Sequence, residues 1–348
     1  PEARTLLIGS HLDTVPNGGP YDGALGVLAG LEVLRVLQEN QVPLRHHVEV
    51  IDFTDEEGRF GDFFGSRAVA GKHTEESIGA FLEKAGEAED IGDLPAMWAL
   101  DPDGLSVDAV LAARRDPKSL AGYLELHIEQ GPRLERAGAS IGVVTGIFGR
   151  RSWLLTFLGR SDHAGTTPLD ARADALVAAA RFIAAAPERV QARFPDAVAT
   201  CGNVEVLPGV YNVTPRQATV WVEFRAGTLA ELDGIDQALR ELADEITVGP
   251  DLHAVVKPTA ASQPTPMHPR MQEVIRAAAQ ALGYPSMDLP SGAGHDAQMM
   301  ANVTPTGMIF TPSHRGRSHC PDEYTAPEHL VAGANVLLHA VLALAGPP

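Results

Sequence analysis

Two short apolar runs, LLIG at 6–9 and VEVIDF at 48–53, bracket a stretch patterned as a helix near Gly26 to Gln38, with Val27, Leu31 and Leu34 on one face. Strand, helix and strand in that order mark a βαβ unit and a mostly parallel sheet. In such sheets the ligand crevice lies beyond the carboxyl ends of the strands. Both strands here run into polar loops. SHLDTVPNGGPYDGALG, Ser10 to Gly26, places His11, Asp13 and Asp22 together, and DFTDEEG, Asp52 to Gly58, adds Asp55, Glu56 and Glu57. Adjacent carboxylates repel one another unless they sit in solvent or face cations.

At 348 residues the chain exceeds what one hydrophobic core usually serves, so two domains are expected. A formal net charge of -18 argues against nucleic acid and anionic membrane surfaces as partners. No apolar run approaches the roughly 18 residues of a membrane span. Cys201 and Cys320 make no disulfide framework and nothing at the start resembles a signal peptide, which points to a reducing cytoplasm.

Beyond the second strand, His73 to Ala121 is acidic and irregular and reads as a surface excursion. YLELHIEQGPRLE then gives a strand in which Leu124, Leu126 and Ile128 alternate with His127 and Glu129. From Arg151 to about Val256 the order is strand, helix (Pro168 to Ala186, capped by Thr167), two strands, helix and strand, which is the ferredoxin-like pattern. The remainder resumes the first domain, with a helix stopped at Gly283, a buried strand GMIF, and a last helix announced by the capping-box spacing of Thr325 and Glu328. The expected division is a catalytic domain over 1–148 and 258–348 and an inserted module over 149–257. The loops SGAGHDAQMM and SHRGRSHCPDEYT contribute His295, Asp296, His314 and His319.

Imidazoles and carboxylates thus recur in separate loops, without a metal-type cysteine pair. Mixed nitrogen and oxygen donors suit Zn²⁺, Mn²⁺, Co²⁺ or Ni²⁺. So many donors point to two ions, with one carboxylate shared between them.

The segments GSHLDTVPNGGPYDGALGV, TDEEGRFG, ELHIEQGP, SDHAGTTP, YNVTP with EFR, GAGHDA and SHCPDEYT together resemble the amidase branch of the M20 metallopeptidase clan, the hydantoinase/carbamoylase family. The resemblance spans nearly the whole chain in motif order, and HIEQGP separates these amidases from the peptidases of the clan. It implies an α/β catalytic domain, with a mixed, mostly parallel sheet flanked by helices, carrying an inserted ferredoxin-like α+β dimerisation or lid domain. Relatives carry a helical segment ahead of the first motif, whereas ten residues precede His11 here.

Carried over position by position, the resemblance implies that His11, Asp22 and His127 bind one metal ion, that Asp22, Glu57 and His319 bind a second, and that Asp13 orients the His11 imidazole. It makes Glu56 the general base, His163 the oxyanion stabiliser, Gln130 a contact to a ureido group, and Asn212 with Arg225 the grip on a substrate carboxylate. The bland alternative for Arg225 is a strand-end salt bridge. His295 and Asp296 stay outside the ligand set. The activity implied is hydrolysis of the carbamoyl C–N bond of N-carbamoyl-L-amino acids to amino acid, ammonia and carbon dioxide, in a homodimer with two divalent ions per subunit. Alternatives are allantoate or an N-acyl amino acid as substrate and, from a different class, a non-catalytic binding protein with the same fold.

Overall fold

The computed structural model describes residues 3–86, 106–249 and 251–347. They form two compact units, one of the described residues up to 147 with those from 266 on, and one of the described residues between 148 and 265.

The first unit is built on β1 (Thr5–His11), α1 (Ala24–Glu39), β2 (His47–Phe53), α2 (Phe64–Val69), α3 (Glu75–Gly86), α4 (Val107–Ala112), β3 (Leu120–Ile128), α5 (Arg133–Ala137) and β4 (Ile141–Ile147). The second unit contributes β5 (Gly149–Leu158), α6 (Ala175–Arg193), β6 (Val198–Leu207), β7 (Gln217–Ala226), α7 (Leu229–Ile246) and β8 (His253–Ser262). The chain continues through β9 (Thr265–Pro266), α8 (Pro269–Ala281), β10 (Ser286–Ser291), α9 (Asp296–Met300), β11 (Thr306–Thr311) and α10 (Pro327–Ala345).

In the first unit the strands run in the order β10-β4-β11-β3-β1-β2, with β9 paired to β4. Neighbours along that order are parallel except β11 and β4. One face of the sheet packs Leu6, Ile8, Leu124, Leu126 and Ile128 against α1, α8 and α10. The other packs Leu7, Tyr123, Val144 and Phe310 against residues of α2, α5 and α9. Helices therefore cover both faces, as a mostly parallel sheet requires. α10 is long and apolar enough by composition to cross a bilayer, contrary to the sequence expectation. Val336, Leu337, Ala340 and Val341 instead bury one side of it in the core, as in a core helix of a globular protein.

Several local expectations are corrected. The buried side of α1 carries Val27, Gly30, Val33 and Leu37, while Leu31 is half exposed. The helix is apolar around most of its circumference, so its pattern alone does not select the face. The described parts of the acidic excursion are not mere surface: Ile78 and Phe81 of α3 and Val110 of α4 form a small core with Phe60 and Phe64. Thr325 makes no capping box, because its buried hydroxyl donates to the Pro312 carbonyl and Ala326 occupies the cap position.

In the second unit all neighbours in the order β6-β7-β5-β8 are antiparallel. Trp153, Leu155, Phe157, Val220, Val222 and Phe224 share one face beneath α6 and α7. That is a ferredoxin-like βαββαβ layer. β8 continues to Ser262, past the limit at 257 read from the sequence. Pro168 does not start α6; the helix begins at Ala175, where the Asp174 side chain accepts the Leu176 and Val177 N–H groups. Asp174, not Thr167, is the cap.

Candidate metal centre

β1 stops at His11, and the loop that follows enters α1 through Gly23, whose φ of 65° places it in the left-handed region. A Cβ at Gly23 would lie 2.4 Å from the His11 ring, so only glycine permits the close approach. The result is that Asp22, 4 % exposed, is buried beside His11 and His127, each 1 % exposed.

The histidine tautomers follow from their partners. His11 Nδ1 lies 2.9 Å from the Asp13 backbone carbonyl and His127 Nδ1 lies 2.8 Å from that of Ile128. Each Nδ1 therefore carries the proton, and each Nε2 turns to Asp22. Asp22 Oδ1 stands 3.0 Å from His127 Nε2 and 3.9 Å from His11 Nε2. Asp22 Oδ2 stands 3.1 Å from His319 Nε2, which is itself 3.3 Å from Glu57 Oε1. The two oxygens of one carboxylate thus face two separate donor groups, His11–Asp22–His127 and Asp22–Glu57–His319, and within each group the donor atoms lie no more than 4.8 Å apart. Imidazole nitrogens and carboxylate oxygens without thiolate fit divalent cations such as Zn²⁺ or Mn²⁺.

The electrostatics follow from burial. Burial opposes ionisation of Asp22, but hydrogen bonds with His127 and His319 outweigh it and hold this carboxyl well below the usual carboxylate range. Burial also opposes a charge on His127, yet the Asp22 hydrogen bond raises it to about 9. His11 is lowered by burial and by His127. Burial and then Asp22 push Glu57 up to about 7, against the pull of His319. Glu56, with Oε2 3.7 Å from His11 Nε2, is pushed well above its ordinary value by burial and then by Asp296, Glu57 and Glu125.

Asp13 meets the His11 ring through its backbone carbonyl. Its Oδ1 is 3.8 Å from His11 Nδ1, and the carboxylate instead accepts the backbone N–H groups of Glu56 and Glu57. Asp55, at φ 53°, accepts the N–H groups of Arg59, Phe60 and Gly61 and closes the same acidic loop. Gln130 donates through Nε2 to Asp22 Oδ2 at 2.8 Å, while its buried Oε1 has no hydrogen-bond partner among the described residues. Gln130, Arg317, Ser318, His319 and Cys320 line a cavity of about 500 Å³.

Two buried acids escaped the sequence reading. Glu125, two residues before His127, accepts Ser10 Oγ at 2.8 Å and the Ala297 N–H at 2.9 Å. It forms, with His127 and His295, a further buried donor group. Glu323, 4 % exposed, accepts the N–H groups of Tyr21 and Asp22. An acid inside the apolar strand LELHI was the available signal for Glu125; nothing local marks Glu323. Glu129 caps α5 by accepting the N–H groups of Arg133 and Leu134.

In the second unit His163 bridges to Val213, and the Ala164 N–H donates to the Asn212 carbonyl, which sets these two segments side by side. Arg225 pairs with Glu223 at 2.8 Å.

A sequence profile of peptidase family M20/M25/M40 matches residues 7–343. An N-carbamoyl-L-amino acid amidohydrolase of Geobacillus stearothermophilus is 38% identical over 348 residues, 99% of this chain and 83% of the relative. An allantoate amidohydrolase of Bacillus subtilis is 34% identical over 345 residues, 98% of this chain and 81% of the relative. The crystal structure of an amidase of the hydantoinase/carbamoylase family from Burkholderia multivorans superposes with a TM-score of 0.85 at 37% identity, covering 100% of this chain and 82% of that one. The chain therefore belongs to peptidase family M20/M25/M40 and stands within it among the hydrolases of carbon–nitrogen bonds other than peptide bonds.

Proposed function

We propose that this protein is a binuclear metal-dependent amidohydrolase that cleaves N-carbamoyl-L-amino acids to amino acid, ammonia and carbon dioxide. The observation that carries the reading is the division of Asp22, with Oδ1 toward His11 and His127 and Oδ2 toward His319 beside Glu57. A carboxylate so shared is the usual bridge of a two-ion hydrolase.

Bound Zn²⁺, Mn²⁺, Co²⁺ or Ni²⁺ would polarise the carbamoyl carbonyl and lower the pKa of water. In this reading Glu56 takes a proton from the attacking water and returns it to the departing nitrogen, a task suited to a buried carboxyl held by its backbone. One water is consumed, the amino acid leaves as its amine, and the carbamic acid released gives ammonia and carbon dioxide. Gln130 Oε1, without a partner among the described residues, accepts a ureido N–H, which favours a ureido substrate over a peptide. His163 serves the oxyanion, and Asn212 with Arg225 the substrate carboxylate, Arg225 by exchanging the Glu223 carboxylate for that of the substrate. The protein works as a homodimer, for which the exposed edge strand β6 with Val198, Val204 and Leu207 offers a pairing surface. Free Cys201 and Cys320 suit a reducing cytoplasm.

Allantoate is the second substrate class, on the strength of the Bacillus subtilis relative. The test is ammonia release by the cation-loaded protein from a panel of N-carbamoyl-L-amino acids and from allantoate, run beside dipeptide cleavage. Hydrolysis of dipeptides with no ammonia from any ureido compound would overturn the proposal.

A further inference from the structure

The loop that carries His319 has little apolar anchoring of its own. His314, Arg315, Arg317 and His319 are all exposed, and His319 adopts a left-handed φ of 56°. Yet His319 Nε2 sits 3.1 Å from a carboxylate almost three hundred positions earlier in the chain. Among the described residues, the buried group that ties these two segments together is Glu323. Its Oε1 accepts the N–H groups of Tyr21 at 2.9 Å and Asp22 at 3.1 Å, and its Oε2 lies 2.7 Å from Ser318 Oγ. Gly19 passes so close that a Cβ there would fall 2.4 Å from Glu323 Oε1.

Ser318 Oγ also stands 3.0 Å from Asp22 Oδ2 and accepts from Gln130 Nε2 at 3.4 Å. A hydroxyl has a single proton to give. Two carboxylates compete for it, and the shorter contact is with Glu323. Building on the two-cation reading above, we propose that Glu323 is a positioning residue for the second cation: Asp22 Oδ2 already accepts from Gln130 Nε2 at 2.8 Å, and by drawing the Ser318 proton away Glu323 keeps the remaining lone pair of that oxygen for the cation shared with Glu57 and His319. Glu323 belongs to neither of the two donor groups that share Asp22 and acts through Ser318 and the Asp22 backbone. Groups outside the ligand set orient ligating side chains in many metal sites, and losing one weakens binding without removing a ligand.

Glu323→Gln isolates the effect. The Tyr21 and Asp22 N–H groups hold the amide oxygen where Oε1 stood, so the amide nitrogen faces Ser318. Ser318 then accepts from the amide and turns its proton onto Asp22 Oδ2, in competition with the cation. Calorimetric titration of the metal-free full chain with Zn²⁺ counts the cations and gives each affinity, and Co²⁺ absorption reports the surroundings of the second. The expected result is an unchanged first cation, a second weakened roughly tenfold to a hundredfold, and recovery of the second in the Ser318→Ala, Glu323→Gln double variant, where no hydroxyl proton is left to compete. Packing alone would predict no effect from the isosteric amide and no rescue. Should Glu323→Gln not fold, Ser318→Ala alone serves: the second cation is expected to stay, and its loss would refute the assignment. Unaltered protein that takes up two cations, with a Glu323→Gln variant that binds both equally well, overturns this inference alone. Unaltered protein that takes up fewer than two overturns the functional reading and this inference with it.

Discussion

Asp13 holds Glu56 by its backbone: Asp13 Oδ1 accepts the Glu56 N–H at 3.2 Å, and Oδ2 accepts the neighbouring Glu57 N–H at 3.1 Å. One side chain from the loop after β1 thereby fixes the proposed base and a proposed ligand from the loop after β2. Asp13→Asn keeps one acceptor and is expected to lower kcat on the order of ten- to a hundredfold while cations still bind. Asp13→Ala strands both donors and should cost a further 1–3 kcal/mol, roughly, of unfolding free energy. Steady-state kinetics, metal analysis and urea unfolding check the three parts, and an Asp13→Ala protein with full activity would refute the coupling.

Glu56→Gln keeps the size of the side chain and its backbone contacts but removes the proton acceptor. Turnover is expected to fall by about 10² to 10⁴, with both cations retained in metal analysis. Undiminished ammonia release would assign the base elsewhere.

Gly23→Ala drives a methyl group into the His11 imidazole from a position with φ of 65°. The variant should lose the cation held by His11 and His127, and its ammonia release with it. Gly79 in α3 is the contrast, since a Cβ there meets nothing within 4 Å among the described residues. Gly79→Ala should leave activity alone and stabilise the helix by about 1 kcal/mol, measured by urea unfolding.

Cation binding to the native state alone must raise its stability. At a free cation concentration about a hundredfold above Kd, each site adds roughly 2.7 kcal/mol. Chelation should therefore lower Tm and abolish turnover together, and re-addition of Zn²⁺ or Mn²⁺ should restore both. A Tm indifferent to chelation would argue that these donors hold no cation.

Asp52 lies exposed near the end of β2 beside the Leu12 N–H; partial desolvation pushes its carboxyl up to about 6, against the pull of that hydrogen bond, and solvent keeps the consequence for stability small. A carboxyl raised above its ordinary 3.8 contributes stability that is present below that value and lost as pH rises through 6. Asp52→Asn, which can still accept the Leu12 N–H, is expected to gain a little Tm over the unaltered protein as pH rises from about 4 through about 6, and to keep the gain above it. A Tm difference between Asp52→Asn and the unaltered protein that is the same at about pH 4 as at about pH 7 would count against the raised carboxyl.

The parallel sheet was legible because LLIG and VEVIDF alternate with a helix, and the ligand loops because acids and histidines stand where such strands end. What escaped depended on partners remote in sequence. Glu125 meets Ser10 and Ala297, and Glu323 meets Tyr21 and Asp22, contacts that no local pattern encodes. The buried side of α1 escaped for a different reason, since apolar residues on several sides leave the choice to packing. Asp174 outcompeted Thr167 as a cap because residues 169–171 form a separate turn of 3₁₀ helix before α6 begins.

The chain leaves the first unit after β4 and re-enters it through β9, which pairs with β4, and the Met267 N–H donates to the Thr145 carbonyl at 3.0 Å. The host sheet is thus stitched shut at the point where its guest was admitted. Closing a loop depends only weakly on its length, about 0.6 kcal/mol for each doubling. A few residues or an entire guest can therefore occupy that junction with little consequence for the host, which leaves the guest free to change in size and surface while the ligand-bearing loops stay as they are.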